Sequence, residues 1–160
     1  VDFVSKLSAV DQLSSSSGYV LYRLGVAIEA VIEQALEPLG LQGRHFRVLA
    51  FIHDGEYSQQ ELSRLSGLDR TTMVAVVDAL ERHGLARREH NLADRRKHQV
   101  LLTQQGAKAL RDGLERLGKA ERAFLDPLRP AEQRQLHDFI VRLFVAHDPS
   151  CRTDVDSALS

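Results

Sequence analysis

The sequence predicts a mainly α fold with a small β-hairpin, an α+β arrangement, and three observations predict it. Apolar residues recur at three- and four-residue steps along most of the chain. Serine, aspartate, glycine and proline stand where those periodic runs begin and end. One pair of short extended runs, parted by a polar stretch, interrupts them.

Taken in order, residues 1–17 read as a flexible arm ending in the run Ser14-Ser15-Ser16-Ser17. A long amphipathic helix begins near Gly18. It carries Leu21, Leu24, Ile28, Val31, Ile32, Ala35 and Leu36, and Pro38 and Gly40 end it. A second helix runs from about Arg44 to His53 with Phe46, Leu49 and Ile52 on one face, and Asp54-Gly55 breaks it. Ser58-Gln59-Gln60-Glu61 is a capping box that opens a short helix carrying Leu62 and Leu65 and closed by Gly67. Asp69 caps a fourth helix whose apolar face is Met73, Val76, Val77 and Leu80, and Gly84 stops it.

The extended runs are Leu85–His90 and Gln99–Thr103, with the polar loop Asn91–His98 between them, which reads as a hairpin with a long tip. A long helix starts near Gln104. Leu110, Leu114, Leu117, Phe124 and Leu128 form a seam along it, with Glu121 in the missing place. Pro130 sits in the first turn of a last helix bearing Leu136, Phe139, Ile140, Leu143 and Phe144. Residues 148–160 form a polar tail expected to be disordered.

Composition narrows the function classes. The chain has 160 residues, 43% hydrophobic and 27% charged, as in an ordinary globular protein. No run approaches the ~18 apolar residues of a membrane span, and the first residues lack the pattern of a signal peptide. The single cysteine, Cys151, can form no intrachain disulfide, so a reducing, cytoplasmic location is expected. Net charge is −1 with the seven histidines neutral. A nucleic-acid site would therefore need local clustering of cations.

Such a cluster exists. The stretch from Leu85 to His98 holds five cations (Arg87, Arg88, Arg95, Arg96, Lys97) against two acids, Glu89 and Asp94. It follows a short helix, a turn and a capped helix, an order that defines a winged helix-turn-helix over about Ser58 to Thr103. Leu62, Leu65 and Leu68 are expected to pack on Met73, Val77 and Leu80. The opposite face of the capped helix is then free to enter a major groove. Arg70 can reach guanine or phosphate, Thr71 and Thr72 phosphates or base edges, and Val74 a thymine methyl. The wing arginines suit a narrow minor groove.

The stretches Leu68-Asp69-Arg70-Thr71-Thr72-Met73 and Leu80-Glu81-Arg82-His83-Gly84-Leu85, then Arg88, Asp94-Arg95-Arg96 and Leu101-Leu102-Thr103-Gln104-Gln105-Gly106, resemble the MarR family of bacterial regulators. The resemblance runs from Gly18 to His147. It implies a homodimer whose first and last two helices interlock. Residues 18–43 and 104–147 would then form a dimerisation lobe and residues 44–103 the DNA-binding lobe. It also implies that Asp94 pairs with Arg96 and aims it into the minor groove.

Double-stranded DNA is thus the expected partner, with Arg70, Thr71, Thr72, Val74, Arg87, Arg88, Asp94, Arg95, Arg96 and Lys97 as contacts. Ala75 stands where many relatives carry a polar reader, which shifts weight to shape readout. The resemblance further implies a cleft for a small phenolic or aromatic effector, for which Tyr19, Tyr22, His45 and His53 are candidates. Core packing and surface polarity account for the same four residues equally well.

No two histidines stand three or four apart, so no helical face offers a metal-binding pair, and no metal or other cofactor is expected. Nucleophile-elbow, Walker and dinucleotide-binding patterns are absent, so no enzyme is expected. The rival reading is a winged-helix protein-interaction module that never touches DNA. Steep weakening of binding with salt separates the two.

Overall fold

The computed structural model describes residues 9–90 and 98–147. Its helices are α1 (Ala9–Ser14), α2 (Ser17–Leu36), α3 (Gly43–Asp54), α4 (Gln59–Ser66), α5 (Arg70–Arg82), α6 (Gln104–Leu125) and α7 (Pro130–His147). A 3₁₀ turn, Glu37–Leu39, joins α2 to α3. The strands are β1 (Tyr57–Ser58), β2 (Ala86–His90) and β3 (His98–Leu102). The mainly α chain with a small antiparallel sheet is the fold class expected.

The sheet has the order β1-β3-β2. β2 pairs with β3 from Ala86↔Leu102 to His90↔His98. β1 adds Tyr57↔Val100 and Ser58↔Gln99 to the other edge. This third strand was not expected. Two residues are too few to show a period of two, and Ser58 is also the N-cap of α4. Part of the expected N-terminal arm is likewise ordered, as α1.

One core runs through the molecule. Leu62, Met73, Val76, Val77 and Leu80 pack in it with Val48, Leu49 and Ile52 of α3 and Val100 of β3. Leu36, Leu41 and Leu110, from segments assigned by sequence to the dimerisation lobe, belong to the same cluster. The fully buried leucines each contribute about 1.5–3 kcal/mol by leaving water. Leu65 departs from expectation, being 42% exposed. Its place on α4 is one turn past Leu62 but turned off the α5 contact.

The junction leaving the sheet is tight. Gly84 takes φ +69 after α5, and the Leu85 N–H reaches the Leu80 carbonyl at 2.9 Å, a Schellman closure. Thr103 Oγ1 donates to the Gly84 carbonyl at 2.7 Å and accepts the Gly106 N–H at 2.9 Å, so it caps α6 while holding the preceding turn. Gly106 packs against the Leu85 carbonyl, and Gly113 packs against the Phe46 ring.

The expected leucine seam of α6 divides. Leu110 is 4% exposed in the chain's own core, whereas Leu114 is 56% exposed. The helix also stops at Leu125, before Leu128. Gln133 Nε2 donates to the carbonyls of Leu125 at 3.0 Å and Leu128 at 2.9 Å, closing the turn into α7. No side chain of α7 is buried, and Phe139, Ile140, Leu143 and Phe144 are 45–54% exposed. Val20, Leu21 and Leu24 of α2 are exposed as well.

Candidate nucleic-acid interface

The sequence of α5 makes it two-faced. Met73, Val76, Val77 and Leu80 point inward, while Arg70, Thr71, Val74, Ala75 and Asp78 point to solvent. Its start is set by Asp69, whose Oδ1 accepts the Thr72 N–H at 3.0 Å. The Thr72 hydroxyl donates to Asp69 Oδ2 at 2.6 Å. These bonds, the Thr72 hydroxyl foremost, hold the Asp69 carboxyl below the usual carboxylate range.

The hydroxyl proton of Thr72 is therefore committed to the cap, which narrows what that residue offers a base edge. Thr71 remains outward. Arg70 makes no ion pair with any described residue. That leaves its guanidinium available to an external anion. Val74 is 40% exposed, so an apolar step formed with Ala75 follows the arginine along the helix.

Beside this edge runs a groove of about 590 Å³ lined by Ser58, Gln59, Gln60, Ser63 and Arg64 of the α4 segment and by Arg70, Met73 and Val74 of α5. Gln60 and Arg64, a turn apart on α4 and both exposed, were not singled out by sequence reading. Their signal was available. Once the capping box fixes where α4 begins, its polar positions at i and i+4 face outward together.

On the wing, the two described arginines differ. Arg87 is outward, with Nε 2.6 Å from Glu89 Oε1 and its side chain 55% exposed. Arg88 turns inward. Its Nη2 lies 2.7 Å from Asp78 Oδ1, its Nη1 bonds Glu81 Oε2, and its Nε donates to Gln59 Oε1 at 2.9 Å. The expectation of a phosphate contact from Arg88 is corrected accordingly, because its guanidinium already serves two carboxylates and an amide. Asp94, Arg95, Arg96 and Lys97 lie outside the described residues.

The four effector candidates do not share one cavity. Tyr19 lines a shallow groove with Ser14, Val20, Arg23 and Leu24, and its hydroxyl accepts from Arg23 Nη1 at 3.3 Å. Tyr22 is 66% exposed. His53 is exposed near the end of α3. His45 is a capping residue: its Nδ1 accepts the Gln42 N–H at 3.2 Å, opening α3. A cavity of about 1060 Å³ instead lies between α2, α3 and α6. Ile28, Ile32, Phe46 and Leu117 supply its apolar wall, and Glu29, Glu33, Arg44 and Arg47 its charges.

Burial, then the charges of Arg44 and His83, hold the pKa of His45 below its ordinary 6.5; Glu33 opposes them and Arg82 adds to them. Above that value His45 is neutral whether the chain is folded or not. Below it the unfolded chain takes up the proton first, so folding stability falls with pH. Urea unfolding measured from about pH 7.5 down to about pH 5.5 should show that loss. His45→Gln, which keeps an acceptor at the capping position, should flatten the profile.

A helix-turn-helix with a capped, outward-facing recognition helix and an adjoining β-wing is the architecture of winged-helix DNA-binding regulators. The model of the MarR family matches residues 39–97. CouR from Rhodococcus jostii RHA1, solved with p-coumaroyl-CoA, is 27% identical with a TM-score of 0.72, covering 86% of this chain and 95% of that one. CouR solved as a transcriptional repressor on a 23-mer DNA duplex gives 26% and 0.76, covering 82% and 94%. A probable transcriptional regulator from Pseudomonas aeruginosa gives 28% and 0.73, covering 82% and 98%. The chain is thus similar to the MarR family over residues 39–97 and to these regulators over most of its length. Among the described residues, no helix is long and apolar enough to cross a membrane.

Proposed function

We propose that the chain is a homodimeric repressor that binds a pseudo-palindromic operator and is released by a small aromatic or phenolic effector. The observation that carries the DNA reading is the exposed N-terminal edge of α5. There Arg70, Thr71 and Val74 stand exposed beside the Arg64 groove while the helix start is locked by Asp69. Arg70 and Val74 read the major groove, Thr71, Arg87 and Lys97 meet phosphates, and Arg96, held by Asp94, enters the minor groove beside Arg95. Thr72 contributes through its position at the helix start. The duplex-bound CouR structure supports this placement by likeness of fold.

The dimer reading is supported by the apolar faces that the described residues of one copy leave exposed on α2 and α7. Twofold pairing sets two copies of α5 against successive turns of one duplex. The effector reading moves from the four sequence candidates to the cavity between α2, α3 and α6. An aromatic ring fits its apolar wall, and an acidic group fits Arg44 or Arg47. The p-coumaroyl-CoA complex of CouR supports an aromatic ligand class. Release requires only that the effector bind the DNA-incompetent spacing of the two helices more tightly.

The test is fluorescence anisotropy on a duplex that the chain selects from a random pool. Arg70→Ala and Arg96→Ala should each weaken binding roughly tenfold, within the range of one lost base or phosphate contact. Thermal unfolding should not change. Wild-type affinity in both variants would overturn the interface, and a salt-independent affinity would favour a protein partner for this surface.

A further inference from the structure

We propose that Arg88 is a positioning residue that clamps the wing to the recognition helix, so that both DNA-reading arms move as one body. The inference rests on the DNA-binding reading and adds to it how the two arms keep their spacing.

The geometry is a four-bond clamp across three elements. Asp78 and Glu81 stand three residues apart on α5, on neighbouring turns of one face. Arg88 lies on β2, and its Nη2 and Nη1 take one carboxylate each. Its own backbone N–H donates to Glu81 Oε1 at 2.7 Å, so Glu81 holds both the main chain and the side chain of the same residue. Nε ties the clamp to Gln59, in the first turn of α4. The Arg88 side chain is 25% exposed and that of Glu81 31%, so the Arg88–Glu81 pair is partly withdrawn from water.

Two consequences follow from charge and from stiffness. Asp78 and Glu81 sit on the helix that must approach a polyanion, and the guanidinium offsets their repulsion of phosphate. A hairpin joined to the body through one strand edge can rock about that edge. The clamp removes this freedom before DNA arrives, so binding does not have to order the wing. A planar fork suits the task, because its fixed donors span two separate carboxylates at once, where an ammonium is a compact point charge without that geometry.

The experiment compares wild type, Arg88→Met and Arg88→Lys as full chains, on the duplex that the wild type selects from a random pool. Arg88→Met should bind roughly tenfold more weakly, while the slope of log affinity against log salt stays at the wild-type value. Arg88→Lys should recover part of the loss. Amide exchange in the DNA-free protein should quicken in β2 and β3 and stay unchanged in α3, a pattern that a general loss of stability would not produce.

A salt slope lowered by about one would make Arg88 a phosphate contact and overturn the proposal. Unchanged affinity, or exchange quickened equally in α3, would overturn it as well. If the wild type itself selects no duplex, the DNA reading fails in that arm alone, and the exchange arm still decides whether the clamp holds the wing.

Discussion

Gly106→Ala should destabilise the fold by about 3 kcal/mol or more, which lowers the melting temperature by roughly 6–12 °C. A Cβ at this position would stand 2.0 Å from the Leu85 carbonyl oxygen and 2.8 Å from Leu102 Cδ1. The first of these is main chain and has nowhere to go. Leu85 N–H is bound to the Leu80 carbonyl, and the Leu85 carbonyl accepts the Thr103 N–H at 3.1 Å. Relief would require breaking the Thr103 cap or the closure after α5, and either loosens the wing at its root.

Gly113→Ala is the informative comparison. Its Cβ would lie 2.1 Å from Phe46 Cε2, a side-chain atom. The ring can give by rotating into space that a neighbour vacates, so this variant should cost less than Gly106→Ala. Adding Phe46→Leu should recover part of the Gly113→Ala loss and none of the Gly106→Ala loss. Calorimetry on the four variants and the wild type decides the order. Equal stability of Gly106→Ala and wild type would show that the α6 start does not press on the preceding turn.

Leu143→Glu should convert the protein from dimer to monomer, raising the dimer dissociation constant at least about a hundredfold. Leu143 lies with Phe139, Ile140 and Phe144 on a helix with no buried side chain, so among the described residues of one copy nothing covers its apolar surface. An unpaired carboxylate placed there cannot follow the face out of water. Because α7 adds no residue to the buried core, the winged-helix body should stay folded, with near-native circular dichroism outside α7. Affinity for DNA should collapse with the loss of the second recognition helix. Sedimentation of wild type and variant is the measurement. A Leu143→Glu protein that remains a dimer would move the interface elsewhere.

Much of this molecule was legible in the chain because the information was local. Asp69 and Ser58 announce α5 and α4 through bonds that reach only three residues ahead, and both caps form as read. The apolar faces of α3 and α5 follow from helical spacing alone. The order of helix, turn, capped helix and hairpin then leaves few ways to bury those faces. Arg70 was readable as outward because it stands at the first turn of a helix whose buried face begins at Met73.

What escaped reading depended on partners distant in sequence. Arg88 and Arg87 are adjacent and chemically identical, and a strand sends them to opposite sides of the sheet. Only the packing of β2 against α5 brings Asp78 and Glu81 to one of them and leaves the other in solvent. The two residues of β1 acquire a strand's conformation from β3, which lies more than forty residues on. His45 is the exception, because its partner is local: its Nδ1 accepts the Gln42 N–H only three residues away, a capping role the sequence reading did not assign to it.

By itself, then, the amino-acid order determined α2 to α7, the caps at Ser58 and Asp69, the two paired strands of the wing and the outward edge of α5, since each is written in local spacing and capping. The tertiary structure alone decided which wing arginine is tied down, where the cavity opens and which apolar stripes remain bare. Those outcomes depend on which surfaces meet in space, and a pattern of spacings carries no record of that meeting.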